Sequence, residues 1–250
     1  MHGAQAPPGA TARIERNDLL VIAHRGRSGV FPENTMAAFR AAIPAGADFF
    51  ELDAHLSADG VPVVLHDADL RRTAGVDRRV QELSLEEIRR LDVGAWKDAR
   101  FRGEPLPTLE EALGFAKDRI NVMIELKSGN PGLPEKAVEI VRRLEMRRQV
   151  VVASFDEQYI RRVKELDPGL RTLGLQSGIQ EWEREDEAMA DILGCSTGQP
   201  ITAELLRSVH KRGMLVWVWT VDDPAEMERL ATLGVDGIIT NYPERITGRE

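Results

Sequence analysis

The chain has 250 residues, 42% of them apolar and 30% charged, with a formal net charge of −8. That length suits one sizeable domain, and the acidic balance argues against extended binding to nucleic acid or an anionic membrane. The single cysteine, Cys195, excludes an internal disulfide and a thiolate metal cluster, and it reads as a small buried residue near a strand end.

Met1–Asn17 is rich in Ala, Pro and Gly and lacks the cationic start and apolar core of a signal peptide. It reads as a flexible arm (1–17) ahead of a domain over 18–250. No apolar run approaches the ~20 residues that a span needs, so no stable membrane insertion is expected and a cytoplasmic location follows. Leu19–His24 is the first strand candidate. Met36–Ala45 follows as a helix, with Asn34-Thr35 at its start and Glu33 and Asn34 read as caps. Phe49–Leu56 and Val61–His66 are the next strands. Their linker, Ser57-Ala58-Asp59-Gly60, is too short for a parallel crossover, and Asp-Gly is a hairpin signal.

Residues 67–107 break the pattern. They are charged and irregular, and only Leu85–Leu91 reads clearly as helix. The Arg71–Arg79 stretch reads as a solvated loop. An insertion of this kind on the side where strands end usually shapes a site. Alternation then resumes. The strand candidates are Asn121–Leu126, Val150–Phe155, Arg171–Gln176, Ala190–Leu193, Leu215–Thr220 and Gly237–Thr240. The helix candidates are Leu109–Lys117, Glu135–Arg147, Asp156–Leu166, Thr202–Arg212 and Pro224–Leu233. Thr108 and Glu111 have capping-box spacing, and Gly213 and Gly234 sit where C-caps belong. Without the hairpin strand, eight β/α units remain. This predicts a (β/α)8 TIM barrel with a β-hairpin extension and an inserted segment at its C-terminal mouth.

Strand ends converge at such a mouth. Side chains alternate along a strand, so Glu51 and Asp53 share a face, and Glu125 and Lys127 repeat that alternation. Two acids on one face of an apolar strand are costly to bury unless something cationic holds them. Glu51, Asp53 and Glu125 form a hard-oxygen set suited to one divalent cation, Mg²⁺, Mn²⁺ or Ca²⁺. His24 and His66 end two strands and could supply an acid and a base. Trp217 and Trp219 share a face, with Trp219 nearer the mouth as an apolar wall. His55 lies beyond the strand end and reads as a surface residue. His2 reads as an arm residue and His210 as a helix-surface residue.

With these residues in place, the chain resembles the glycerophosphodiester phosphodiesterase family. The resemblance rests on Ala23-His24-Arg25-Gly26, Pro32–Thr35, Glu51-Leu52-Asp53, Asp59–Asp67, Pro107-Thr108-Leu109, Ile124–Lys127, Ser154-Phe155, Trp219-Thr220 and Gly234–Thr240. It spans roughly Leu19 to Glu244. The family would imply a metal-dependent hydrolase that cleaves a small glycerophosphodiester to sn-glycerol 3-phosphate and an alcohol. Glu51, Asp53 and Glu125 would hold the metal, His24 and His66 would be the acid–base pair, and Arg25 and Lys127 would contact the phosphate.

Two alternatives stay open. One is the same chemistry on lysophospholipids or other phosphodiesters, favoured if Phe31, Trp96 and Phe101 form an apolar groove beside the mouth. The other is a non-catalytic metal- or phosphate-binding barrel. The stretch Asp191–Gly198 and the acidic run Glu181–Glu187 depart from the family pattern and bear on the leaving group.

Overall fold

The computed structural model describes residues 19–176 and 190–249. The arm, His2 and the acidic run 181–187 lie outside them. The strands are β1 (Leu20–Ala23), β2 (Phe49–Leu56), β3 (Pro62–Val64), β4 (Asp69–Leu70), β5 (Val76–Arg79), β6 (Asn121–Leu126), β7 (Val150–Ser154), β8 (Arg171–Gln176), β9 (Ile192–Ser196), β10 (Leu215–Trp219) and β11 (Gly237–Thr240). Eight of them run parallel in the order β1-β11-β10-β9-β8-β7-β6-β2, and pairing of Ile22 with Phe49 closes the ring between β1 and β2. This is the (β/α)8 barrel.

The ninth strand is the hairpin. β3 pairs antiparallel with β2, matching Ala54 to Val64 and Leu56 to Pro62. Gly60 turns the chain with φ +74°, a left-handed conformation that glycine adopts without a Cβ clash. The hairpin returns His66 to the mouth just past the end of β3.

The helices are α1 (Met36–Ala42), α2 (Arg71–Ala74), α3 (Leu85–Ile88), α4 (Leu109–Ala116), α5 (Leu133–Arg143), α6 (Glu157–Leu166), α7 (Ala203–Lys211), α8 (Pro224–Leu233) and α9 (Glu244–Thr247). Side-chain oxygens of Thr35, Thr108, Asp156, Thr202 and Asp223 accept from the first free N–H groups and start five of them. The Thr108/Glu111 capping box forms as its spacing predicts, with Glu111 N donating to Thr108 Oγ1 at 3.1 Å and Thr108 N to Glu111 Oε2 at 2.9 Å. Gly234 caps α8 at φ +94°.

The outward faces of the strands and the inward faces of the helices form two apolar layers. Phe50, Leu52 and Ala54 join Leu113, Ala137, Val141 and Val152 in one, and Val216, Val218, Leu206, Val209 and Leu230 join in the other. The barrel interior is a third core of Leu20, Ile22, Phe49, Met123, Val151, Leu173, Ile192, Trp217 and Ile239. Trp217 fits because its neighbour on β11 is Gly237, where a Cβ would stand 2.7 Å from the indole Cδ1.

Several boundaries differ from the sequence reading: the helix after β1 ends at Ala42, β3 is Pro62–Val64, and the helix expected over Glu135–Arg147 is Leu133–Arg143. β9 spans Ile192–Ser196 rather than Ala190–Leu193. Gly194-Cys195-Ser196 carries little apolar signal, yet it is strand because Gly194 leaves room for Leu173, whose Cδ2 would lie 2.5 Å from an added Cβ. The inserted segment is ordered. β4 and β5 form a two-stranded antiparallel ribbon, and Val63, Leu65, Leu70, Val80, Leu83, Ile88, Val93 and Leu106 form a separate small core beneath it. The arginines of 71–79 are solvent-exposed as read, but they stand on α2 and β5 rather than in a loop.

Candidate active site

The inward-pointing positions of β2 and β6 change from apolar to acidic as the strands approach the mouth. On β2, Phe49 gives way to Glu51 and Asp53, which are 2% and 0% exposed. On β6, Met123 gives way to Glu125, directly beside Asp53 in the strand register. One carboxylate oxygen from each of Glu51, Asp53 and Glu125 lies within 4.8 Å of the others. Ligand–ion distances of about 2.0–2.6 Å place oxygens around one hard divalent ion at such separations. The donor set, all carboxylate, suits the same ions.

Cations counter part of this charge. Lys127 Nζ lies 2.8 Å from Asp53 Oδ1 and also pairs with Glu125 Oε1. Arg25 donates its backbone N–H to Glu51 Oε2 at 2.7 Å, and its Nε lies 3.3 Å from Asp53 Oδ2. Arg25 sits at φ +55°, the left-handed turn that lets one residue present both its amide and its side chain to the acids. Asn34 completes the shell, donating from Nδ2 to Asp53 Oδ2 at 2.7 Å.

Titration follows from this packing. Burial, then the Asp53 charge, raises Glu51 well above the carboxylate range, and the same two causes push Glu125 up to about 7. Burial opposes ionisation of Asp53 as well, but Lys127 and then Arg25 hold it well below the usual range. The cluster is thus short of positive charge, as a cation site should be.

Both histidines stand on the wall of the same cavity. Asn241 Nδ2 donates to Asp222 Oδ2 at 2.6 Å, so its Oδ1 faces His24 Nδ1 at 2.8 Å as an acceptor. His24 therefore carries its proton on Nδ1 and leaves Nε2 as the lone pair. Burial, then the charge of Arg25, pushes its imidazole down to about 4. His66 Nδ1 meets Asp67 Oδ1 at 2.8 Å, which likewise commits Nδ1 and frees Nε2. The cavity measures about 170 Å³. Its polar side is His24, Arg25, Glu51, His66, Glu125 and Lys127, and its apolar side includes Met123, Phe155, Leu175, Trp219 and Ile239. The rings of Phe155 and Trp219 meet edge to face at 5.5 Å.

All eight residues singled out in the sequence, His24, Arg25, Glu51, Asp53, His66, Glu125, Lys127 and Trp219, meet at this one mouth. Three readings change. His55 is 4% exposed rather than at the surface. Asn130 Nδ2 donates to its Nδ1 at 3.1 Å, so His55 Nε2 donates to the His66 carbonyl at 3.2 Å. The β3 hairpin covers it, which strand counting alone could not show. Glu33 and Asn34 do not cap α1; Thr35 does, while Glu33 accepts from Arg25 and Asn34 from neither end of the helix. His210 is an exposed residue of α7, as read, and its Nε2 meets buried Asp236 Oδ2 at 2.8 Å. Phe31 and Phe101 pack on each other at 5.3 Å and, like Trp96, do not line the cavity. Sequence reasoning also missed Asn241 and Asp222, and it named Phe155 without placing it in the cavity. Each lies one to three residues past a strand end, and that position was the available signal.

Carboxylates and cations interleaved at the open end of an eight-stranded barrel define the class, a barrel enzyme whose site accepts an anionic substrate. The chain belongs to the Glycerophosphoryl diester phosphodiesterase family, which it matches over residues 24–245, and it is a phosphoric diester hydrolase. It is 40% identical over 238 residues to a glycerophosphodiester phosphodiesterase of Caldanaerobacter subterraneus subsp. tengcongensis, covering 91% of this chain and 96% of that protein. Its fold matches a glycerophosphodiester phosphodiesterase from Agrobacterium tumefaciens str. C58 with a TM-score of 0.84 at 32% identity, over 92% of this chain and 100% of that one. The structure of an Oleispira antarctica phosphodiesterase in complex with the product sn-glycerol-3-phosphate matches at 27% identity with a TM-score of 0.84, over 94% and 98% of the two chains.

Proposed function

We propose that this protein hydrolyses small glycerophosphodiesters to sn-glycerol 3-phosphate and an alcohol, with His24 and His66 as the acid–base pair. One observation carries the reading: two imidazoles with Nδ1 committed and Nε2 free share a cavity wall with the acid cluster. Hydrolysis of a phosphodiester needs one group to take a proton from the nucleophile and another to give one to the leaving alkoxide. Asn241 and Asp67 fix the two rings in the tautomer that exposes Nε2 for those transfers.

Arg25 and Lys127 stand on the polar wall, where charge on the non-bridging oxygens would develop, and they counter it. Glu51, Asp53 and Glu125 would hold one divalent cation. That ion would supply Lewis acidity toward a phosphoryl oxygen. Trp219 and Phe155 present apolar surface to the carbons of the substrate. Since Phe31, Trp96 and Phe101 stay out of the cavity, the small-substrate reading is preferred to lysophospholipids.

The test is release of sn-glycerol 3-phosphate from glycerophosphocholine by metal-stripped protein, with and without Mg²⁺, Mn²⁺ or Ca²⁺. Release restored by one of the ions is the expected result. Full activity in stripped protein would remove the metal from the proposal, and no release under any condition would redirect the substrate to lysophospholipids.

A further inference from the structure

The inserted segment reaches the site through one side chain. Arg72, on α2, uses three of its N–H groups at once. Nε donates to Asp67 Oδ2 at 2.7 Å, and Nη1 and Nη2 donate to the two oxygens of Glu33 at 2.8 Å each. Each carboxylate also holds a second partner. Asp67 Oδ1 holds the His66 imidazole at 2.8 Å, and Glu33 Oε1 receives Arg25 Nη1 at 2.9 Å. One guanidinium thus joins the residue that holds His66 to the residue that holds Arg25.

These two groups arrive by separate routes, His66 from the β3 hairpin and Arg25 from the loop after β1. Among the described residues, Arg72 is the side chain that bonds to the carboxylate partners of both. Its Cζ also lies over the Trp96 ring, 5.3 Å from the centroid, and Trp96 is anchored by Nε1 donating to Val93 O at 2.9 Å.

We propose that Arg72 is a positioning residue. It fixes the separation and orientation of the His66 imidazole and the Arg25 guanidinium by bridging Asp67 and Glu33. The proposal rests on the roles given to His66 and Arg25 above. The geometry argues against a merely structural ion pair. A solvent-facing pair contributes little to stability, and Arg72 is 40% exposed. The fork to Glu33 and the sideways bond to Asp67 match the planar guanidinium, and an ammonium cannot reproduce them. Arg71, its neighbour on the same helix, is an internal control, because it pairs within the insertion, with Asp77 at 2.5 Å, and with neither Glu33 nor Asp67.

The experiment compares wild type, Arg71→Met, Arg72→Met, Arg72→Lys, Asp67→Asn and the double variant Arg72→Met/Asp67→Asn. It measures kcat and KM on glycerophosphocholine, with thermal melts alongside. Small misplacements of reacting groups cost up to about 10²-fold in rate. Arg72→Met should therefore lose roughly 10- to 100-fold in kcat, with KM nearly unchanged and the melt near wild type. Arg72→Lys should not recover the rate, Arg71→Met should match wild type, and the double variant should be no slower than its slower parent.

Three results would overturn the proposal: Arg72→Met within twofold of wild type, full recovery by Arg72→Lys, or losses that multiply in the double variant. A second measurement needs no substrate. In ¹⁵N–¹H histidine spectra, the His66 Nδ1–H signal should persist in wild type and Arg71→Met and broaden in Arg72→Met. A signal unchanged in Arg72→Met rejects the positioning role even if glycerophosphocholine proves not to be the substrate, and an inactive wild type rejects the functional reading alone.

Discussion

The two arcs of the barrel mouth are built on opposite principles. Along β1, β2 and β6 the mouth is charged, with Arg25, Glu51, Asp53, Glu125 and Lys127 in direct contact with one another. Along β7 to β10 it is apolar, with Phe155, Leu175 and Trp219 on the cavity wall. A buried charge is tolerated where opposite charges and hydrogen bonds surround it, and it is costly elsewhere. Concentrating the charges in one arc lets each compensate the next. Charge and apolar wall are thus assigned to different strands at the mouth, above an apolar interior that β1, β2 and β6 share with the other strands.

The largest expected effect is on the charged side. His24→Ala and His66→Ala should each lower kcat by ~10²-fold or more and leave the melting curve in place. A near-normal rate in either variant would take that histidine out of the mechanism. The matching change on the apolar side is Trp217→Ala. It should cost about 3–5 kcal/mol in a urea titration, with normal activity in the protein that remains folded. If Trp217→Ala abolished turnover without destabilising the fold, the division between the arcs would fail.

Glu51→Gln sharpens the metal part of the reading. Groups that merely support metal ligands typically matter 10- to 100-fold in affinity, so replacing a ligand should shift the divalent titration of activity by at least ~10-fold. An unshifted titration would place the ion elsewhere. Lys127→Ala should have a smaller effect, about tenfold in kcat or KM, which corresponds to about 1.4 kcal/mol. A large fall in melting temperature with unchanged kinetics would instead mark Lys127 as a salt bridge to Asp53 and Glu125.

Cys195 gives the smallest effect. It is 1% exposed within the second outer layer, and burial pushes its thiol up to about 12. A thiol reagent such as Ellman's should leave the native protein unlabelled and react only on unfolding. Fast native labelling would show that β9 opens.

Much of this was legible in the order of residues. Alternation of apolar and polar positions is a property of the local backbone, so the eight parallel strands, the hairpin and the acid pair on one face of β2 followed from the sequence. Capping is equally local, and Thr35, Thr108 and Gly234 sit where their side chains or freedom at positive φ require. The acid cluster was legible because β2 and β6 carry the same apolar-to-acidic change at the same depth. Gly194-Cys195-Ser196 was not, because a strand packed around small residues carries no apolar signal.

The tertiary structure alone decided what depends on contacts between distant segments. His55 is buried because the hairpin and Asn130, 75 positions further on, close over it. His24 has its tautomer set by Asn241, 217 positions away. Arg72 lies in a charged stretch that a sequence reader assigns to solvent, yet it bonds to Glu33, 39 positions earlier. The sequence determined which residue types reach the mouth, because strand period and strand order are local. The folded barrel decided their partners and protonation, because burial and charge proximity exist only once the ring has closed.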